Sequence, residues 1–172
     1  MYSHKFMAPM FELLEQCRGV PQMDIHHPEG DVLNHSLQVM EWAFKETNDL
    51  DLIFAAMFHD VGKSIIRKGH EKESVEMMRP FATSRTLWLI DNHMRYWHLV
   101  LGETRRKQKI NDLVRNPWFP DLAMLCRWDK MGRNPYKHVV FDKDRIIDRL
   151  NERSELKYKN IDFSERQGIQ ND

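Results

Sequence analysis

The sequence predicts an all-α fold, and three features of its hydrophobic pattern indicate this class. Apolar residues recur at helical spacing in most segments, as in the run from Val32 to Thr47. The segment Leu50 to Asp60 is apolar on nearly every side, which is typical of a helix at the centre of a bundle. No stretch alternates convincingly as a strand would, and Lys137 to Phe141 comes nearest to doing so. Without internal repeats or a linker, we expect one domain over residues 1–154 and a polar, mobile tail over residues 155–172.

Capping residues, glycines and prolines divide the chain into helices. Asp31 and Ser84 are suitable N-caps, because their side-chain oxygens can accept hydrogen bonds from the first backbone amides of a helix. Pro80 and Gly132 each mark a helix end, since proline and glycine are unfavourable in a helix interior. The predicted helices are Met10 to Arg18, Val32 to Thr47, Leu50 to Asp60, His70 to about Pro80, Ser84 to Leu101, Glu103 to Val114, Asp121 to about Gly132, and an amphipathic segment around Ile146, Ile147 and Leu150.

Charge and composition exclude several classes of protein. Lysine plus arginine and aspartate plus glutamate number 26 each, so the chain has no positive coat for non-specific nucleic-acid binding. Its longest apolar run, Leu52 to Phe58, is far shorter than the ~20 residues of a membrane helix. We therefore expect a soluble, cytoplasmic protein with no membrane partner.

Cys17 and Cys126 lack C-x-x-C spacing, and we expect both to be free thiols that pack in the interior.

An adjacent histidine and aspartate, His59 and Asp60, lie where the apolar third helix meets a glycine. Consecutive α-carbons are ~3.8 Å apart, so both side chains can reach one ion, and imidazole with carboxylate suits a divalent metal. The simpler interpretation is a packed histidine beside a helix-end aspartate. Two further residues favour the interpretation as a metal site. His35 lies beside the apolar stripe of the second helix, and Asp129 lies at the end of a later stripe. Four such groups on three helices are what a bundle needs to bind an ion in its interior.

In the order His, His-Asp, Asp, these residues resemble the HD-domain metal-dependent phosphohydrolases. The sequence is most similar to the HD domain of bacterial tRNA nucleotidyltransferases, between about Pro21 and Met131. The 172 residues contain no counterpart of the nucleotidyltransferase part, so the resemblance implies the phosphohydrolase module and not CCA-adding activity. It implies His35, His59, Asp60 and Asp129 as metal ligands. The matching motifs are His27-Pro28-Glu29-Gly30-Asp31-Val32-Leu33-Asn34-His35-Ser36-Leu37, Phe58-His59-Asp60-Val61-Gly62-Lys63, Gly69-His70-Glu71, Asn92-His93-Met94 and Asp129.

The resemblance also implies a cofactor and roles for further residues. One or two divalent ions per chain (Mn, Co, Ni, Fe, Mg or Zn) would activate water and polarise a phosphoryl oxygen. His70 and His93 match positions that bind a second metal in some HD proteins; the alternative is that they hydrogen-bond phosphate or water. Lys63 and Arg67 are candidates for binding the substrate phosphate, against the alternative of solvated loop cations. Glu71 is a candidate for proton transfer or for hydrogen bonding to a ligand, so Asp60, Lys63 and Glu71 form the predicted catalytic set.

The expected substrate is a nucleotide or a nucleic-acid terminal phosphate, either a 2′,3′-cyclic phosphodiester or a phosphomonoester. A deoxynucleotide (dNTP or dNMP) phosphohydrolase is one alternative, and a non-catalytic, nucleotide-binding regulatory module is another. The intact metal motif argues against the regulatory module, and the missing G-Y-P signature disfavours cyclic di-GMP. No G-x-S-x-G, P-loop or Rossmann motif supports another class of enzyme. The basic run Arg105, Arg106, Lys107 and Lys109 is either solvated surface or a patch for an RNA end.

Overall fold

The computed structural model describes residues 1–22 and 26–165. Within these residues the chain is all-α, which confirms the predicted fold class, and its only β-type pairing is an isolated bridge between Pro21 and Asp31. None of the helices described is long and apolar enough to cross a membrane. The helices are α1 (His4–Glu15), α2 (Val32–Glu46), α3 (Leu50–Phe58), α4 (His70–Met78), α5 (Ser84–Val100), α6 (Lys107–Val114), α7 (Phe119–Met131) and α8 (Lys143–Glu165), with a 3₁₀ turn at Val61–Ser64.

The apolar helix α3 lies at the centre of the fold, as its sequence predicts. It packs against α2, α5 and α7, and its residues from Leu52 to Phe58 are all buried. Full burial of a large apolar side chain contributes about 1.5–3 kcal/mol, so this helix is a main source of stability. His59 caps the C-terminal end of α3, and Asp60 follows it. The core helix therefore carries the polar pair into the interior.

Two glycines allow backbone segments to approach closely beside this pair. A β-carbon at Gly62 would lie 2.2 Å from the carbonyl oxygen of His70 and 2.7 Å from the backbone nitrogen of Ser74. The Gly62 amide also donates to the Ser74 hydroxyl at 2.8 Å. A β-carbon at Gly132 would lie 2.5 Å from a methyl group of Val39 on α2. The first contact fixes α4 against the 3₁₀ turn, and the second brings the end of α7 onto α2.

Several predicted helix bounds are wrong by a few residues. The cap of α5 is Thr83 and not Ser84, because the Thr83 hydroxyl accepts the Thr86 amide at 3.1 Å. Helix α1 begins six residues before Met10, since its buried stripe already includes Met7. Helix α7 begins at Phe119, since a proline in the first turn loses no helical hydrogen bond.

Three other predicted ends also differ from the structure. Helix α3 stops at Phe58, before the His-Asp pair, and α6 starts at Lys107 because residues 103–106 form a loop. The predicted boundary between residues 154 and 155 falls inside α8, which continues to Glu165. The part of the predicted tail over residues 166–172 lies outside the described residues. Cys17 and Cys126 are buried free thiols, as expected.

Candidate metal site

The structure brings the four predicted metal ligands together in the interior, and two further histidines join them. His35 comes from α2, His59 and Asp60 from the end of α3, and Asp129 from the last turn of α7. All four side chains are buried. The other two members are His70, the first residue of α4, and His93 on α5, both also buried.

Three of these residues, His35, His59 and Asp129, form what we call the first cluster. Their ligand atoms lie within 4.8 Å of one another, and Nε2 of His35 is 3.2 Å from Oδ1 of Asp129. Oδ2 of Asp60 approaches the same cluster, at 3.6 Å from Nε2 of His35 and 3.4 Å from Nε2 of His59. Metal–ligand bonds of 2.0–2.2 Å place two neighbouring ligand atoms about 2.8–3.6 Å apart, for angles between 90° and the tetrahedral angle. The observed spacing fits a shared ion.

Asp60, His70 and His93 form the second cluster. Oδ1 of Asp60 is 2.9 Å from Nε2 of His70 and 3.5 Å from Nε2 of His93. The two Nε2 atoms are themselves 3.2 Å apart. Asp60 therefore presents one carboxylate oxygen to each cluster, and the two clusters together have donors for one or two ions.

Backbone carbonyls fix the tautomer of three of the histidines. In each case Nδ1 lies within hydrogen-bond distance of the carbonyl oxygen three residues earlier in the chain. Since a carbonyl oxygen only accepts, Nδ1 must carry a proton, and Nε2 of the neutral ring is an unprotonated lone pair. This is the tautomer that binds metals through Nε2. The pairs are His59 with Ala56 at 3.1 Å, His70 with Arg67 at 2.8 Å, and His93 with Ile90 at 2.7 Å.

These lone pairs need a cation or a proton. Nε2 of His70 and Nε2 of His93 face each other, and two neutral lone pairs at that distance repel unless a positive charge lies between them. The Nε2 atoms of His35 and His59 are buried and form no hydrogen bond within the part of the chain that the structure describes. Because buried polar atoms almost always have a partner, the unsatisfied nitrogens and the neighbouring carboxylates fit a divalent metal.

The two carboxylates and His59 have charge states that suit metal binding, whereas His35 is protonated at neutral pH until an ion displaces its proton. Burial alone would raise the pKa of Asp60 and Asp129, but Lys63 beside the first and His35 beside the second hold both values well below the usual range. Burial lowers the pKa of His59 to about 3, so that ring is neutral. Burial would also lower the pKa of His35, but its carboxylate neighbours, Asp129 first, outweigh burial and raise it to about 9. The site thus contains two ionised carboxylates and at least one neutral imidazole.

Lys63 is the cation nearest to the ligands. Its Nζ lies 2.6 Å from Oδ2 of Asp60 and 2.9 Å from Oε1 of Gln22. The side chain is partly exposed, in contrast to the buried carboxylate that it contacts. An anion that approaches Asp60 from solvent would therefore meet the Lys63 ammonium.

Arg67 and Glu71 lie near the second cluster without contacting a ligand side chain at hydrogen-bond distance. The Arg67 guanidinium donates to the Pro21 carbonyl at 3.0 Å and is exposed. The Glu71 carboxylate is 3.9 Å from Nδ1 of His70, which instead bonds to the Arg67 carbonyl. The predicted hydrogen bond from Glu71 to a ligand is therefore not formed, while its role in proton transfer and the phosphate-binding role of Arg67 stay predictions.

Three further residues, which were not predicted from the sequence, contact predicted ligands. Trp97 donates from Nε1 to Oδ2 of Asp129 at 2.8 Å, and Arg133 donates to Oδ1 at 3.0 Å. Glu29 lies 2.6 Å from Nδ1 of His35. Trp97 follows His93 by four residues, so the two lie on the same helix face, and this spacing could have predicted that Trp97 lies near the site. Arg133 stood in a run interpreted only as a helix end, and Glu29 stood in the matching motif without a role.

The basic run near residue 105 lines a cleft of about 670 Å³ between α5 and α6. Arg95 and His98, also on this cleft, follow His93 by two and five residues, which is about 200° and 140° of helical rotation. The cleft therefore lies away from the face of α5 that carries His93. Its interpretation as a patch for an RNA end stays a prediction. The charged residues on the cleft are Arg95, Glu103, Arg105, Arg106 and Lys109.

Comparison with known proteins matches the segment that contains both clusters. The family model described as HD domain matches residues 32–147. A Multifunctional CCA protein of Burkholderia orbicola (strain MC0-3) is 32% identical over 135 residues, which cover 67% of this chain and 33% of the relative. A protein of the same name from Cupriavidus pinatubonensis (strain JMP 134 / LMG 1197) is 28% identical over 177 residues, which cover 81% of this chain and 42% of the relative. The chain thus spans less than half the length of these curated relatives.

Proposed function

Because this chain belongs to the HD domain family, whose members are generally metal-dependent hydrolases, we propose that it hydrolyses phosphate esters of nucleotides or of nucleic-acid ends. The single observation that carries this proposal is the position of Asp60. Its two carboxylate oxygens face two different sets of buried imidazole nitrogens at distances of 2.9–3.6 Å. A shared carboxylate of this kind suits a centre that binds one or two divalent ions.

A bound divalent ion would supply an activated water molecule and polarise a phosphoryl oxygen. The residues of the chain then have separable tasks. His35, His59 and Asp129 present donor atoms to one side of Asp60, and His70 with His93 present two more to the other side. Since these donors do not fill a coordination shell of five or six, positions remain for water and for substrate oxygen. The burial of the side chains keeps the local dielectric low, which strengthens each electrostatic interaction with the reacting phosphate.

Lys63 has the geometry to bind the substrate phosphate. Its ammonium is within 2.6 Å of Asp60, so a phosphate next to the cluster would come within reach of it. Preorganised cations at a position where negative charge develops favour the transition state, and removal of one such donor typically costs ~10²–10³ in turnover. Gln22, which accepts a hydrogen bond from Lys63, keeps the ammonium beside the site before substrate binds.

The preferred substrates within this class are 2′,3′-cyclic phosphates and phosphomonoesters. Support comes from the similarity to the HD domain of bacterial tRNA nucleotidyltransferases and from curated relatives named Multifunctional CCA proteins. The zero net charge and the short basic loop with Lys63, Arg67 and Lys68 favour a small anion over a long polyanion. The alternatives are a dNTP or dNMP phosphohydrolase and a non-catalytic nucleotide-binding module.

A substrate screen with controlled metal content tests the proposal. The chain is stripped with a chelator, reloaded with Mn²⁺, Co²⁺, Ni²⁺, Mg²⁺ or Zn²⁺, and assayed on 2′,3′-cyclic, 2′-, 3′- and 5′-nucleotides and on dNTPs. We expect metal-dependent hydrolysis of cyclic or monophosphate substrates, faster than that of dNTPs, and no activity in the stripped protein. Release of triphosphate from dNTPs without action on the other substrates would overturn the proposed preference. Metal binding without any hydrolysis would favour the regulatory module.

A further inference from the structure

Glu29 is a buried carboxylate that contacts two histidines at once. Its Oε1 lies 2.6 Å from Nδ1 of His35 and 2.9 Å from Nδ1 of His27. Its side chain has no exposed surface, and Oε2 has no hydrogen-bond partner among the described residues. The Asn34 amide donates to the backbone carbonyl of Glu29 at 3.0 Å, which fixes this part of the loop against α2. Burial of a carboxylate costs free energy unless the charge is paired or accepts hydrogen bonds.

The contact with His35 has a counterpart at each of the other three histidines of the site. His59, His70 and His93 each donate from Nδ1 to a carbonyl oxygen within their own helical turn. His35 instead has a carboxylate from the preceding loop at 2.6 Å, and the Gly132 carbonyl at the longer distance of 3.1 Å. His35 is thus the histidine of the site whose Nδ1 meets a full negative charge at the shortest distance.

Glu29 contacts Nδ1 of His35 at the distance of a charge-assisted hydrogen bond, and the Gly132 carbonyl accepts from the same nitrogen at 3.1 Å. Two ligands of one ion lie at least about 2.8 Å apart, whereas a charge-assisted hydrogen bond can be as short as about 2.7 Å. The 2.6 Å from Glu29 to His35 is shorter than the spacing of two ligands of one ion, and the His27 ring lies at the hydrogen-bond distance of 2.9 Å from the same Glu29 oxygen. His27 and Glu29 therefore form a hydrogen-bonded pair whose carboxylate lies against Nδ1 of His35, and this contact is too short for a third ion site between Glu29 and His35.

We infer that Glu29 is the positioning residue of the first cluster: it shares the Nδ1 proton of His35 with the Gly132 carbonyl, orients the ring, and increases the donor strength of Nε2 toward the metal. The inference rests on the metal binding in the proposed function, but not on hydrolysis. A carboxylate that accepts from a metal-bound imidazole fixes its tautomer and raises its basicity, and loss of such a partner typically weakens metal binding ~10–100-fold.

The test is a Co²⁺ titration of the chelator-stripped full chain, which gives dissociation constants and the visible spectrum of the bound ion. We expect Glu29→Gln to weaken the binding of one ion per chain ~10–100-fold and to change the Co²⁺ spectrum. Glu41→Gln is the matched control, since it removes the same charge from α2 at a carboxylate that pairs with Arg149 at 2.5 Å. This control should bind Co²⁺ with wild-type affinity and an unchanged spectrum.

A second variant keeps the inference testable if Glu29→Gln does not fold. Glu29→Asp retains the charge but is one methylene shorter, so it should lose the short contact with His35 and bind one ion more weakly. Wild-type affinity and spectrum in either folded variant would overturn the inference. A lower melting temperature with unchanged affinity would overturn it too, because it would indicate a purely structural role. Failure of the substrate screen with the affinity loss still present would count against the proposed hydrolysis alone.

Discussion

The two clusters share Asp60 but differ in how the fold holds their other members. His35, His59 and Asp129 come from helices α2, α3 and α7, which pack on one another in the core. His70 opens the short helix α4, whose position depends on the close contact of Gly62 with its first turn. The first cluster is thus built by helices that pack in the core, whereas His70 of the second cluster depends on the turn that follows the His-Asp pair. Substitutions should affect the two clusters differently.

Loss of the shared carboxylate should have the largest effect. We expect Asp60→Ala to abolish turnover and to reduce bound metal to near zero, because both clusters lose a charged donor at once. Elemental analysis and the phosphate-release assay measure the two effects. Asp144→Asn is the matched control, since its side chain is 79% exposed and distant in sequence from the site. Full metal content in folded Asp60→Ala would contradict the shared-ligand account.

Removal of the metal should destabilise the whole chain. Asp60 and Asp129 are two ionised, buried carboxylates, and a cation bound between them offsets their repulsion. A ligand at 100 times its Kd stabilises the folded state by about 2.7 kcal/mol, which is a shift in Tm of roughly 5–10 °C for a chain of this size. Thermal unfolding with chelator and with excess Mn²⁺ measures this difference. Equal melting temperatures would mean that no ion binds the folded state preferentially.

Substitutions in the second cluster separate a one-metal from a two-metal centre. If His70 and His93 bind a second ion, His70→Ala or His93→Ala should lower the stoichiometry by about one ion per chain and leave the other ion bound. Their Nε2 atoms are 3.2 Å apart beside Oδ1 of Asp60, which favours this outcome. Metal analysis of both variants provides the measurement. Unchanged stoichiometry with lower turnover would assign the two histidines to substrate contact.

Of these changes, Lys63→Ala should alter the metal content least, while it should still lower turnover. Since Lys63 is a positive charge 2.6 Å from Asp60, its removal takes away no donor, and the metal content should stay at the wild-type level. Turnover should fall ~10²-fold, because a phosphate-binding cation is lost. Steady-state kinetics together with metal analysis test both parts. Loss of metal, or turnover equal to that of the wild type, would show that Lys63 has another role.

Much of the fold, and the identity of the candidate site residues, could be predicted from hydrophobic periodicity and sequence motifs. The apolar helix α3, the cap Asp31 and the all-α class were predicted from local pattern, and the structure confirms them. The family resemblance is confirmed as well, by the match over residues 32–147. His35 and Asp129 were predicted to meet the His-Asp pair because each lies beside an apolar face, and the structure brings them together.

The resemblance assigned His70 and His93 to a possible second metal, but the sharing of Asp60 between the two clusters could not be predicted from the sequence. It depends on the rotamer of Asp60 and on the turn that places His70, and both are set by packing between distant segments. The contact from Trp97 to Asp129 spans 32 residues, and the contact from Glu29 to His35 depends on the path of an irregular loop. The starts of α1 and α7 were predicted too late, because Pro9 lies inside α1, whose buried stripe begins at Met7, and Pro120 lies in the first turn of α7.

The most direct test is anomalous diffraction from crystals of the full chain grown with Mn²⁺. The account predicts an anomalous peak bonded to His35, His59, Asp129 and Oδ2 of Asp60. A two-metal centre adds a second peak bonded to Oδ1 of Asp60 and to the two histidines of the second cluster. Crystals with saturating Mn²⁺ but without a peak within bonding distance of Asp60 would contradict the account, because they would remove the metal on which the proposed hydrolysis depends.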